Sequence, residues 1–186
     1  MPKGQKDPHR RQRIVEAASQ LLASTGVEGL THRAVAAAAN VPLGSTTYHF
    51  ASLNDLLFAI VDNTKQAWNE HLDAWAAELG PDPDIAVSLS DLLVFVTGPE
   101  RDRSIIEYEL YVAALRRPAL RALSLDWDRA LDATLARYVD PLTAEALALA
   151  ADGITLRSLI RGEPLAKDEV EPLMRRIIGG NEFRAE

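Results

Sequence analysis

Five consecutive positions, Ser45, Thr46, Thr47, Tyr48 and His49, all carry hydrogen-bonding side chains. Hydroxyls, a phenol and an imidazole side by side are suited to recognition, since each can donate or accept at a base edge or a phosphate oxygen. They have no nucleophile–base spacing that would suggest bond-making. Just upstream stand Thr31 and Arg33, and at the front of the chain Arg10 and Arg11, which add cationic partners for phosphate. Elsewhere catalytic signals are weak. There is no HExxH, no glycine-rich phosphate loop, no GxSxG and no cysteine nucleophile. His71 and Glu109 are the only plausible acid–base pair in the rest of the chain, and nothing sets a nucleophile beside them.

The elements around the polar run explain how it would be presented. Thr31 is a good N-cap, because its hydroxyl can accept from an orphan N–H of a first turn. Ala34, Val35, Ala38 and Ala39 repeat at helical spacing, small enough for a second helix to come close. Asn40 tolerates a left-handed conformation at a helix end, and Pro42 can open the next helix. The result is two short helices joined by a tight turn, the second one polar and ending at Phe50. That pattern predicts a helix-turn-helix offering its second helix to a DNA major groove.

Thr31, Arg33, Val35, Ala36, Ala39, Val41, Gly44, Tyr48, His49 and Phe50 together resemble the signature of the TetR family of transcriptional regulators. The resemblance is dense over about residues 10–60 and architectural beyond. It implies an all-α fold and a dimer that places two recognition helices on a palindromic double-stranded DNA operator. It also implies a small-molecule effector held in the C-terminal part. The chain departs from the family pattern in places. Asn40-Val41-Pro42-Leu43 occupies the turn, Thr47 stands where a tyrosine is usual, and Leu53 follows Ser52 where a lysine is frequent. Each departure removes a possible phosphate contact, which shifts weight onto the N-terminal arm, residues 1–8.

Charge is divided in the same sense. The net charge is −7, yet residues 1–50 hold six Lys/Arg against three Asp/Glu. A head of +3 on a body of −10 is the asymmetry expected when one end meets phosphate. Alanine and leucine are prominent and aromatics make up only 6%, which favours helix. The absence of cysteine excludes a disulfide framework and thiolate metal sites, and no metal or cofactor is expected. No apolar run reaches the roughly 18 residues that would span a bilayer, so no membrane association is expected and a cytoplasmic protein is the default.

Periodicity predicts about nine helices. The first runs from about His9, with Ile14, Ala17, Ala18, Leu21 and Leu22 on one stripe, and ends at Gly26. Ser52 caps the longest, about 52–79. Others follow at about 85–97, 100–116, 118–138, 143–161 (capped by Thr143) and 168–179 (capped by Asp168). The domain division expected is 1–52 for the DNA-binding head and 53–186 for the ligand-binding and dimerisation body.

Within the body, Trp68, His71 and Trp75 share a face of the long helix, and Tyr108, Glu109 and Trp127 fall near in register. An apolar cavity with a few polar anchors is how a small-molecule site is built, and the family's ligand site lies among these middle helices. Plain core packing is an equal reading for the aromatics, an ordinary hydrogen-bonded core histidine is the stronger reading for His71, and an ion pair with Arg116 or Arg121 is an equal one for Glu109. On the last two helices, Leu147, Ala151, Ile154 and Ser158 form a small-residue face, and Leu173, Met174 and Ile177 a greasy one, suited to a dimer interface. The reading is a dimeric, non-enzymatic DNA-binding regulator, most simply a repressor. A helical adaptor that has lost DNA binding and a small helical-bundle enzyme are the alternatives.

Overall fold

The computed structural model describes residues 7–179, with the side chains of 119 and 122–128 outside that description. Among the described residues there are nine α-helices and no strand. α1 (Arg10–Thr25), α2 (His32–Ala38) and α3 (Leu43–His49) make the head. α4 (Leu53–Glu78), α5 (Ile85–Thr97), α6 (Arg101–Arg116), α7 (Pro118–Leu135), α8 (Pro141–Arg161) and α9 (Lys167–Ile178) make the body. A short 3-10 turn at Val27–Gly29, not expected from periodicity, links α1 to α2.

The local chemistry sets most boundaries. Gly26 ends α1 at φ 67°, ψ −179°, a conformation essentially reserved for glycine. Thr31 Oγ1 accepts from the Ala34 N–H at 3.1 Å and starts α2. Asn40 takes the left-handed turn at φ 51°. Two expected caps differ. α8 is capped by Asp140, whose carboxylate accepts from the N–H groups of Leu142 and Thr143, with Pro141 in the first turn. α9 starts after Ala166 with no side-chain cap, and Asp168 lies inside its first turn.

α4 carries a complete capping box. Ser52 Oγ accepts from the Asp55 N–H at 3.1 Å, and the Ser52 N–H donates to the Asp55 carboxylate at 2.8 Å. Ser52→Ala should cost about 1 kcal/mol and lower the melting temperature by about 2–4 °C. An unchanged calorimetric melt would show that the cap does not hold this junction.

Two apolar clusters fill the molecule. The first joins Ile14, Leu22, Val35 and Phe50 of the head to Leu56, Leu57 and Ile60 of α4 and to Leu110 and Ala114 of α6. The second lies among α4, α5, α7, α8 and α9 around Leu89, Leu93, Leu135, Leu147 and Met174. The head's core therefore does not close at residue 52, as the expected division has it. The α4 helix, 26 residues and about 39 Å long at 1.5 Å per residue, runs through both clusters.

Candidate nucleic-acid interface and ligand cavity

The head presents α3 on its surface. Tyr48 is 81% exposed and makes a T-shaped ring contact with His49, at 5.1 Å between centroids. Thr47 is exposed and Ser45 and His49 half-buried. Thr31 and Arg33 are exposed on the neighbouring α2 start. Arg11 lies with its guanidinium 5.1 Å from the Phe50 ring centroid, which fixes its side chain beside the end of α3. Arg10 is half-buried, and its Nε has no hydrogen-bond partner. Of the N-terminal arm expected over residues 1–8, residues 1–6 lie outside the described ones.

Thr46 must be removed from the groove-facing set. It is fully buried, and its hydroxyl donates to the Leu43 carbonyl at 2.8 Å. A seven-residue helix lying on a support has to turn one side inward, and position 46 is on that side. Gly44 adds something the polar run did not disclose. A Cβ placed there would meet nothing within 4 Å, so the protein itself has no steric need for glycine.

In the body, α4, α5, α6, α7 and α8 line a cavity of about 400 Å³, within the size range of small-molecule sites. Its walls include Trp68, Leu92, Val96, Glu107, Tyr108 and Tyr111. Tyr108 crosses from α6 to α8, donating its hydroxyl to the Asp152 carbonyl at 2.9 Å. Burial pushes the Tyr108 phenol up, and the Asp152 carboxylate adds to that. Trp68 and Tyr108 are thus both in the cavity wall.

Three other expected ligand residues are not. Glu109 points away from the cavity and its carboxylate lies beside Gly26, at the junction of α1 and α6. Trp75 packs on the second core cluster and donates its indole N–H to the Ser88 carbonyl at 3.3 Å. His71 is stacked on Phe95 at 4.8 Å and 8°, in a small chamber behind the cavity wall. Burial holds its pKa below the usual histidine value, and Arg103 pushes the same way. Trp127 lies on α7, and its side chain falls outside the described residues.

Two carboxylates line the cavity, Glu107 of α6 and Asp152 of α8, and Glu107 is the buried one. Its Oε1 lies 3.3 Å from Arg103 Nε. Burial raises its pKa from the ordinary 4.5 to about 7, against the opposing pull of Arg103. The Arg103 Nε and Nη2 groups are buried without hydrogen-bond partners, so the pair is Coulombic rather than a well-formed fork. Sequence spacing already held the i,i+4 link between Arg103 and Glu107. It was hidden because α6 has no single apolar stripe: Ile106, Leu110 and Ala113 face the head core while Ser104, Glu107 and Tyr108 face the cavity.

The expected interface residues are also redistributed. Leu147, Ala151 and Met174 are buried in the chain's own second cluster, with Ile154 and Ile177 packed against it. Ser158 is buried and donates to the Glu163 carbonyl at 2.6 Å, closing the end of α8. Only Leu173 stays exposed. A helix inside a bundle must first satisfy its own chain, so the small-residue face turned inward. Leu142, Leu149, Leu156 and Ile160 of α8 turned outward.

Residues 14–60 match the profile of bacterial regulatory proteins of the tetR family, and residues 80–180 match the tetracyclin repressor-like C-terminal domain. The chain belongs to the TetR family. It is a transcriptional regulator of that family, with the helix-turn-helix head and helical body that the fold implies. The multidrug binding protein EbrR, solved with imidazole, is 41% identical over 96% of this chain and 100% of that one, with a TM-score of 0.80. A TetR-family member from Streptomyces coelicolor A3 is 42% identical over 92% of this chain and 99% of that one, at 0.83. The transcriptional regulator BetI of Cronobacter sakazakii is 28% identical over 96% of this chain and 93% of its own length. EbrR has also been solved with ethidium, proflavin and malachite green. No helix among the described residues is long and apolar enough to cross a membrane.

Proposed function

We propose that this TetR-family chain is a cytoplasmic repressor. As a dimer it binds a palindromic operator, and an aromatic cation in the body cavity releases it. The observation that carries this reading is the division of α6. One side of the helix lines the cavity with Glu107 and Tyr108, and the other side is part of the head core through Ile106, Leu110 and Ala113. A ligand that moves α6 must therefore act on the support of α3. It shifts the operator equilibrium only by its preference for the conformation that does not fit DNA.

In the head, Tyr48, His49, Ser45 and Thr47 contact the groove, while Thr31, Arg33, Arg10 and Arg11 contact phosphate. Gly44 lets the DNA backbone come close to α3. In the body, Glu107 supplies the negative charge and Trp68, Tyr108 and Tyr111 the flat walls that suit a planar cation. Ethidium, proflavin and malachite green, three of the compounds solved with EbrR, are all aromatic and cationic.

Selection of bound duplexes from random DNA at two salt concentrations tests the head. The expected result is an enriched palindrome whose affinity falls steeply with salt. No enrichment at low salt would refute the operator reading. Ethidium titrated into the protein alone tests the cavity. Glu107→Gln should weaken its binding by about tenfold, the size of one charge-assisted contact. Equal affinity in the variant would remove Glu107 as the counter-ion.

A further inference from the structure

A thin wall separates the body cavity from a second, much smaller space. The chamber that holds His71 and Phe95 measures about 10 Å³, room for one water at most. Trp68, Val96, Ser104 and Glu107 line both spaces. The Ser104 hydroxyl is committed to the Val96 carbonyl at 2.8 Å. Of the four, only Glu107 ionises, so the charge of the wall is the charge of that one carboxyl.

Arg103 stands behind it. Its Nε lies 3.3 Å from Glu107 Oε1, and its Nη1 lies 3.8 Å from Glu100 Oε2. Arg103 lines the chamber and not the cavity. A ligand sized for the cavity does not fit the chamber, so Arg103 meets it only through Glu107. An arginine that serves the fold spends its donors in hydrogen bonds. Here Nε and Nη2 are buried and make none. A guanidinium so placed adds little to the fold and much to the field at Glu107.

The other groups around Glu107 pull the opposite way or not at all. Burial is the largest influence and favours the neutral acid, and Asp152 from α8 and Glu100 from the start of α6 add to it. The Tyr108 phenol, next along α6, is held neutral by burial and then by Asp152. His71 from α4 is held toward its neutral form by burial and then by Arg103. α5 brings Phe95 and Val96, and α7 brings Leu131, none of which ionises. Among these groups, Arg103 alone favours the anion at position 107.

We propose that Arg103 sets the charge preference of the cavity: from the chamber behind the wall it keeps the Glu107 carboxylate anionic, so that the cavity takes an aromatic cation over an uncharged molecule of the same shape. Arg103 is thus a positioning residue that no ligand touches. This rests on the aromatic-cation reading above, and it adds what makes that site selective for charge.

Ethidium keeps its positive charge at every working pH, and phenanthridine, its bare ring system, is uncharged near neutrality. The affinity of the full chain for each is measured from about pH 6 to about pH 9. An opposite charge this close lowers a carboxyl pKa by about 1–3 units. Arg103→Met should therefore move the rise in ethidium affinity up by about one pH unit or more. At neutral pH that is a loss of about fivefold or more, shrinking as pH rises. Phenanthridine should bind both proteins alike. Arg103→Lys, which keeps the charge, should restore the wild-type profile, and Arg103→Gln replaces Arg103→Met if the latter fails to fold. Without ligand, the Glu107 carboxyl carbon, assigned by its loss in Glu107→Gln, should titrate higher by the same interval in NMR spectra of Arg103→Met. Superimposed ethidium profiles, or an unmoved Glu107 titration, would overturn the proposal and leave the aromatic-cation reading standing. Equal losses for ethidium and phenanthridine would also overturn it, since they would make Arg103 a packing residue. No ethidium binding to the wild-type protein at any pH would overturn both.

Discussion

Tyr48→Ala should abolish most operator affinity while leaving the fold intact. A good contact to a base edge or methyl is worth about 1–3 kcal/mol. A dimer loses it twice, so the expected weakening is about thirtyfold or more. The melting temperature should stay within about 1 °C, because an exposed side chain away from caps and core changes stability little and Tyr48 is 81% exposed. His49→Ala should behave alike but less cleanly, since its ring also leans toward Phe50 at 6.5 Å. Thr46→Ala is the useful contrast. Its hydroxyl is spent inside the head on the Leu43 carbonyl, so that variant should lose about 1–2 kcal/mol of stability without changing the preferred sequence. Both effects are read from quantitative binding to the selected operator and from a thermal melt. Unchanged operator affinity in Tyr48→Ala would remove α3 as the reading element.

The second large effect is the stability that Glu107 alone gives up as pH rises from 5 to 8, against an opposite contribution from His71, whose pKa the fold lowers. In the folded chain Glu107 has its pKa raised from the ordinary 4.5 to about 7, first by burial. A raised carboxyl pKa means that the folded state binds the proton more tightly than the unfolded chain does. Its contribution is therefore fully present below about pH 4.5 and is lost as pH climbs through about 7. At 1.36 kcal/mol per unit the full span is about 3 kcal/mol. Denaturant titrations of wild type and Glu107→Gln at each pH should show that the variant removes this part of the slope, since glutamine keeps the shape and cannot ionise. A bound cation should reverse the trend, because it needs the ionised form. Ethidium affinity should then rise across the same interval. Parallel stability curves for the two proteins would show that Glu107 does not titrate as argued.

The head was almost wholly legible in the sequence because its signals are local. Thr31 as a cap, Asn40 as a left-handed turn and Ser52 before a long helix are each decided by a few neighbouring atoms. Helix boundaries in the body followed for the same reason, with Asp140 displacing Thr143 as a cap because Pro141 can occupy a first turn that a later start would exclude. The direction in which a body helix faces is a different kind of question. Leu147 and Leu149 are both leucines two residues apart, and only the packing of α8 against α5 and α7 sends one inward and the other out. Glu107 and Glu109 pose the same difficulty on α6. A helix with two unlike neighbours has no single stripe, and choosing the wrong register moved the buried carboxylate by two positions.

The two-sided character of α6 has a consequence for how such a protein changes over generations. On the proposed regulatory reading, substitutions at Glu107, Tyr108 or Tyr111 would alter the shape and charge that a visiting compound meets, and would leave Ile106, Leu110 and Ala113 in place to transmit its arrival. Chemical taste and mechanical linkage are thus inherited on opposite flanks of one rod. A lineage can adopt a new inducer without relearning its operator, and an engineer can retune the sensor by editing one flank and leaving the other alone.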